Sequence, residues 1–227
     1  MSMKAVLFDM DGTLVDSEPL HFNAMVQAVS VMGYTVPDDV ADRVTGMTAA
    51  ECHALLQSLI GFKPSFKDYI DAKYRCYLDA AHTLQRRHGV DAVFALLAET
   101  GTPFAIVSNS ERVVVDANLG ATALKNPKTI SISRDDVARG KPHPDPYLAA
   151  AEHLGVSPSR CVVVEDSIPG ATSGLAAGMT VIGWPEPHRT DLVFPPGTII
   201  ADPHDLASTL ATLLDIPLSE QVHHVSR

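Results

Sequence analysis

Four short apolar blocks, Ala5–Phe8, Phe104–Val107, Cys161–Val164 and Thr180–Gly183, stand out along the chain, each too short for a buried helix and bounded by polar or turn residues. Continuous apolar runs of this length read as parallel strands covered on both faces. Thr129–Ile132 and Thr198–Ala201 are weaker candidates of the same kind. Segments of helical periodicity separate most of the blocks, which predicts an α/β fold with a Rossmann-like parallel sheet flanked by helices.

Residues 9 to 103 carry no convincing strand, and a parallel crossover of that length must hold something extra. Its helices are legible. Leu20–Met32 is amphipathic and closes near Gly33; Thr48 and Glu51 form a capping box ahead of Leu55, Leu56, Leu59 and Ile60; a third helix begins near Ser65 and is expected to run to about Arg86. An all-helical cap domain over 17–86, inserted into a catalytic core of 1–16 and 87–227, is the predicted organisation.

Composition narrows the partners. The 227 residues are 46% hydrophobic and 19% charged, enough to bury a core. Seventeen Lys and Arg against 27 Asp and Glu give a formal net charge of −10, and the only adjacent basic pair is Arg86-Arg87, so no nucleic-acid partner is expected. Cys52, Cys76 and Cys161 match neither a disulfide framework nor a zinc motif, and no apolar run reaches about 18 residues. These readings predict a cytoplasmic protein without membrane contact, a monomer or weak dimer.

The chemistry begins where the first block ends, in "AVLFDMDGTLVDSE". On extended chain, side chains two apart point to one side, so Asp9 and Asp11 converge at the carboxyl end of a strand, the edge at which open α/β sheets bind ligands. Two like charges there call for a cation or a shared proton; a simple Asp-Gly turn is the plainer alternative. The block "CVVVEDS" decides between them, because Glu165 and Asp166 end a second strand at the same edge. Four acids at one edge point to a hard cation. Ser108 and Asn109 in "VSNS" and Lys141 in "RGKPHPDPY" add hydroxyl, amide and ammonium, the groups that a phosphoryl transfer needs.

Taken in order, "DMDGT", "SNS", "GKP" and "VEDS" resemble the four motifs of the haloacid dehalogenase superfamily, in particular its capped phosphatases. The resemblance implies that Asp9 is the nucleophile that takes the phosphoryl group and that Asp11 is the acid and base. It places Mg²⁺ on Asp9, the backbone carbonyl of Asp11 and Asp166, with Glu165 in or next to the coordination sphere. Gly12, Thr13, Ser108 and Asn109 would hold the phosphate, and Lys141 would neutralise it. The expected substrate is a small phosphorylated metabolite.

Departures from relatives grade the alternatives. Asp11 argues against carbon–halogen chemistry, and no lysine stands near "GMTAAE", where phosphonatases carry one. β-Phosphoglucomutase is the rival, since His21 and Lys73 match polar residues of its cap and hinge, but Ala49 stands where a mutase needs an arginine. A non-catalytic member binding a phosphorylated ligand or a protein is the third reading. Lys73 has support of its own: Phe66, Ile70, Lys73 and Tyr77 share one helical face, so the lysine either snorkels outward or lines a pocket. His21 is equally readable as structural or substrate-contacting. A further departure is "RRHGV" before the second strand, where relatives usually carry proline.

Overall fold

A computed structural model describes residues 5–44 and 47–216. The chain forms two compact units, Ser17–Gln85 and Met1–Asp16 with Arg86–Arg227. Among the described residues the strands are β1 (Ala5–Asp9), the two-residue β2 (Val15–Asp16) and β3 (Gln85–Arg86), β4 (Phe104–Val107), β5 (Ile130–Ile132), β6 (Cys161–Glu165), β7 (Thr180–Gly183) and β8 (Ile199–Ile200). Both weak candidates are therefore strands.

Six of these form the parallel sheet of the first unit in the order β5-β4-β1-β6-β7-β8. β1 is central, with Leu7 level with Ala105 on one side and Val163 on the other. Every residue of β1 and β6 is buried. Because side chains alternate across a strand, Leu7 and Phe8 serve opposite faces. Leu7 packs with Val107, Val163 and Tyr147. Phe8 meets Phe94, at 5.7 Å between ring centroids, and Phe94 meets Phe104 at 4.9 Å. The register brings Asp9 level with Val107 and Phe8 level with Val164, so Ser108, Glu165 and Asp166 arrive at the edge that Asp9 occupies.

The second unit holds α1 (Glu18–Val31), α2 (Val40–Val44), α3 (Ala49–Ile60) and α4 (Phe66–Ala80). Its core is Met25, Val29, Val40, Cys52, Leu56, Phe62 and Tyr69. The capping box forms as the spacing requires: Thr48 Oγ1 accepts from Glu51 N, and Glu51 Oε2 accepts from Thr48 N at 2.7 Å. Ser65 caps α4 in the same way through Asp68 N.

The expectation that α4 runs to about Arg86 fails. The helix ends at Ala80, a short 3-10 turn covers 81–83, and the chain is extended by Gln85. The cause is local competition for carbonyls: Thr83 Oγ1 donates to Ala80 O at 2.8 Å, and a ring nitrogen of His82 lies 3.1 Å from Asp79 O. The expected face of α4 is also displaced. Its buried residues are Tyr69, Ala72 and Tyr77, whereas Phe66 is 44% exposed and Lys73 sits half-buried at the margin.

The remaining helices of the first unit are α5 (Val90–Thr100), α6 (Arg112–Ala121), α7 (Asp145–Leu154), α8 (Ile168–Ala176) and α9 (Leu206–Leu213). Among the described residues no helix is long and apolar enough to cross a membrane, and Cys52, Cys76 and Cys161 are free thiols.

Candidate active site

Asp9 is the last residue of β1 and is buried. The chain then turns sharply: Gly12 adopts φ +78 and its N–H donates to Val15 O at 2.9 Å. A side chain at this position would strike Asp166 Oδ2 at 2.3 Å, so the turn can approach the second strand's acid only as glycine. Thr13 Oγ1 then donates to Asp166 Oδ1 at 2.8 Å. Two of the expected phosphate-holding residues, Gly12 and Thr13, thus lie directly against the acid expected to bind metal.

Lys141 is the hub. Its ammonium contacts Asp9 Oδ1, donates to Glu165 Oε1 at 2.6 Å and donates to Val107 O at 2.9 Å. Burial alone would lower its pKa, but Asp9 and Glu165 outweigh that and hold the ammonium above its ordinary value. The Lys141 backbone is held as firmly: Asn109 Nδ2 donates to its carbonyl at 3.0 Å and Asn109 Oδ1 accepts from its N–H at 2.8 Å. Both ends of that amide are therefore engaged with the lysine's backbone. Gly140 permits the approach, since a Cβ there would sit 2.5 Å from Asn109 Oδ1.

Asp11 points to a different set of partners. Oδ2 accepts from Ser108 Oγ at 3.1 Å and Ser110 Oγ at 2.9 Å, and Oδ1 accepts from Asn118 Nδ2 at 2.9 Å. These three donors to its carboxylate are all neutral.

Asp9, Glu165 and Asp166 each offer a carboxylate oxygen, and these oxygens lie within 4.8 Å of one another. All are oxygen donors, the kind that Mg²⁺ prefers, so the set fits that ion. Glu165 is already well occupied: Oε1 accepts from Lys141 and from Tyr147 Oη at 2.6 Å, and Oε2 accepts from Ser167 Oγ at 2.8 Å. Burial is the main force raising the Asp9 pKa, Lys141 opposing it and Glu165, Asp166 and Asp11 adding to it. Burial, then Glu165, pushes Asp166 up to about 7. Two neighbouring acids that resist ionisation, Asp9 and Asp166, are what a dication would relieve.

The site recruits residues that sequence reasoning passed over: Tyr147, Ser110, Ser167, Asn118 and Arg87. Asn118 left a signal, an amide on the buried face of α6 among Val114, Val115 and Leu119. So did Tyr147, which shares the buried face of α7 with Ala150 and Ala151. His21 and Lys73 belong to the helical unit. There the His21 ring stacks on Tyr77 with centroids 4.3 Å apart, and Lys73 adds its charge to the surroundings of Cys52.

Residues 3–178 match the haloacid dehalogenase-like hydrolase family. The chain belongs to that family. Its sequence is 34% identical over 192 residues to hexitol phosphatase A of Escherichia coli K12, spanning 84% of this chain and 87% of that protein. A phosphorylated carbohydrates phosphatase of Thermotoga maritima is 28% identical over 181 residues, 78% of this chain and 82% of that one. The structure resembles an HAD family hydrolase of Deinococcus radiodurans R1, solved with bound phosphate and sodium, with a TM-score of 0.71 and 30% identity over 93% of this chain and 96% of that one. As a haloacid dehalogenase-like hydrolase, the chain is an enzyme, and several of its relatives are named phosphatases.

Proposed function

We propose that this hydrolase removes phosphate from a small phosphorylated metabolite, a sugar or polyol phosphate or a phospho-organic acid, through an aspartyl-phosphate on Asp9 and with Mg²⁺. The observation that carries the reading is the convergence of Asp9, Lys141 and Asp166 at one sheet edge, with Asp11 two residues on and separately held. The names of the phosphatase relatives support the carbohydrate end of the range.

In this reading an Asp9 oxygen attacks phosphorus, an O–P bond forms to the carboxylate, and the bond to the leaving oxygen breaks. Asp11 gives that oxygen its proton. Ser108 and Ser110, which donate to Asp11, hold its carboxylate in place. Asp11 then takes a proton from water, the water oxygen attacks the same phosphorus, and Asp9 is released as carboxylate with inorganic phosphate. Lys141 neutralises charge on the transferring group, while Glu165 and Tyr147 keep its ammonium in place. Mg²⁺, held by Asp9, Asp166 and the Asp11 carbonyl, would supply positive charge to the phosphoryl oxygens. Thr13 and Gly12 shape the turn against Asp166, and Asn109 sets the Lys141 backbone. Selection of the substrate is assigned to the helical unit, with Lys73 and His21 as its candidate contacts.

The test is a panel of hexitol phosphates, sugar phosphates and phospho-organic acids, assayed for phosphate release with Mg²⁺ and with EDTA. Release that requires Mg²⁺ is the expected outcome; no release from a broad panel favours a binding protein on the same fold. Asp9→Asn should abolish turnover, since losing a nucleophile costs ~10⁴-fold or more, and residual activity above about one per cent would overturn the assignment.

A further inference from the structure

Arg87 is the second residue of the core after the helical insertion, in the stretch "RRHGV". It is 7% exposed, and among the described residues no carboxylate bonds its guanidinium. A buried cation is costly unless its donors are satisfied. Here the donors go to backbone. Nη1 donates to Gly12 O at 2.9 Å and to Trp184 O at 2.7 Å, Nη2 donates to Pro185 O at 2.6 Å, and the plane lies 3.7 Å over the Trp184 ring.

These acceptors belong to two separate parts of the site. Gly12 is the turn after β1, pressed against Asp166. Trp184 follows β7, and its N–H donates to the carbonyl of Glu165, the last residue of β6. A continuous path of hydrogen bonds therefore runs from the Gly12 carbonyl through the guanidinium and Trp184 to the strand end that carries Asp166. The Arg87 N–H, bonded to Leu14 O at 3.0 Å, anchors the arginine itself to the same turn.

We propose that Arg87 is a positioning residue of the metal site, a clamp that fixes the distance between the Asp9–Thr13 turn and the Glu165–Asp166 strand end. The inference rests on the Mg²⁺ reading above. A planar fork reaching three carbonyls is specific to guanidinium; an ammonium keeps the charge but cannot span them. Charge and position act in opposite directions. A nearby cation repels a dication, so losing the charge alone would tighten metal binding, whereas losing the clamp loosens it.

The experiment measures metal affinity directly, by Mn²⁺ titration of the substrate-free protein followed through the electron paramagnetic resonance of free Mn²⁺, with Mg²⁺ as competitor. Wild type, Arg87→Met and Arg87→Lys are compared. Weaker binding by roughly 10–100-fold in both variants is expected, the range typical of residues that orient metal ligands. At saturating Mg²⁺ the KM for p-nitrophenyl phosphate should stay within about threefold of wild type, because the clamp serves the metal and not the ester. Unchanged or tighter binding in Arg87→Lys overturns the proposal, even if Arg87→Met fails to fold. A wild type that binds neither ion overturns the Mg²⁺ reading, and this inference with it.

Discussion

The Tyr147 hydroxyl and the Lys141 ammonium share a single oxygen of Glu165, each at 2.6 Å. All three side chains are buried, so losing either donor leaves that Glu165 oxygen with one partner fewer in a place water does not reach. Burial, and after it the charge of Glu165, raises the Tyr147 pKa well above its ordinary value, which keeps the hydroxyl a donor at any working pH.

Tyr147→Phe should destabilise the protein by about 1.5–3 kcal/mol, the worth of a hydrogen bond to a charged group. Lys141→Met should cost more, about 3–5 kcal/mol, because Asp9 and Glu165 lose their buried counter-charge. Urea denaturation of the two variants checks the order, and equal losses would mean that Glu165 relies on Lys141 no more than on Tyr147.

Asp11→Asn separates proton transfer from attack. Turnover of alkyl phosphates, whose leaving oxygen needs a proton, should fall about 10²–10⁴-fold. Formation of the aspartyl-phosphate from an aryl phosphate with a good leaving group should fall far less. Rapid-quench measurement on both substrates decides, and equal losses would mean that Asp11 matters mainly through metal or pocket geometry.

Without metal, stability should decline as pH rises. Asp166 keeps its proton in the folded protein up to about 7 but releases it near the ordinary 3.8 once unfolded. Between those values the folded form holds more protons, so stability falls with rising pH, and the raised Asp9 pKa acts in the same direction. In EDTA the Tm of wild type should drop between about pH 4 and pH 7 relative to Asp166→Asn. Mg²⁺ should raise the Tm more at pH 8 than at pH 5, because it binds the deprotonated acids. Parallel Tm profiles for the two proteins would refute the assignment.

Phosphate should pass to water and not to a second position on the sugar. Ala49, the first residue of α3, offers no guanidinium to a second phosphate. With β-glucose 1-phosphate, Mg²⁺ and catalytic glucose 1,6-bisphosphate, release of inorganic phosphate should outpace formation of glucose 6-phosphate. The reverse would make the enzyme a mutase while leaving the roles of Asp9, Asp11, Lys141 and Asp166 in place.

The sequence was most legible where structure is local. The strand ending at Asp9, the Thr48–Glu51 box and the acids of "VEDS" depend on neighbours within a few residues, and all stand where their patterns put them. The end of α4 was misread because apolar periodicity continues past Ala80, while the Thr83 hydroxyl and His82 ring that close the helix are weak signals. The supporting residues were illegible for another reason. Asn118 meets Asp11 across 107 positions and Arg87 meets Gly12 across 75, and no spacing rule spans such distances. A buried arginine bonded only to carbonyls resembles a solvated surface arginine until the fold is known.

The position of β1 at the centre of the sheet also bears on how the enzyme comes into being. Its neighbours begin at Phe104 and Cys161, so β1 waits for partners that emerge much later. Closing loops of that length is slow, and neither pairing rewards the chain until it is complete. On the ribosome, Asp9 would leave the exit tunnel long before Asp166 exists to oppose it, and a nascent chain stopped short of β6 would carry Asp9 without Glu165 and Asp166. The cluster of Asp9, Glu165 and Asp166 therefore assembles only after β6 has been made, roughly 150 residues after β1.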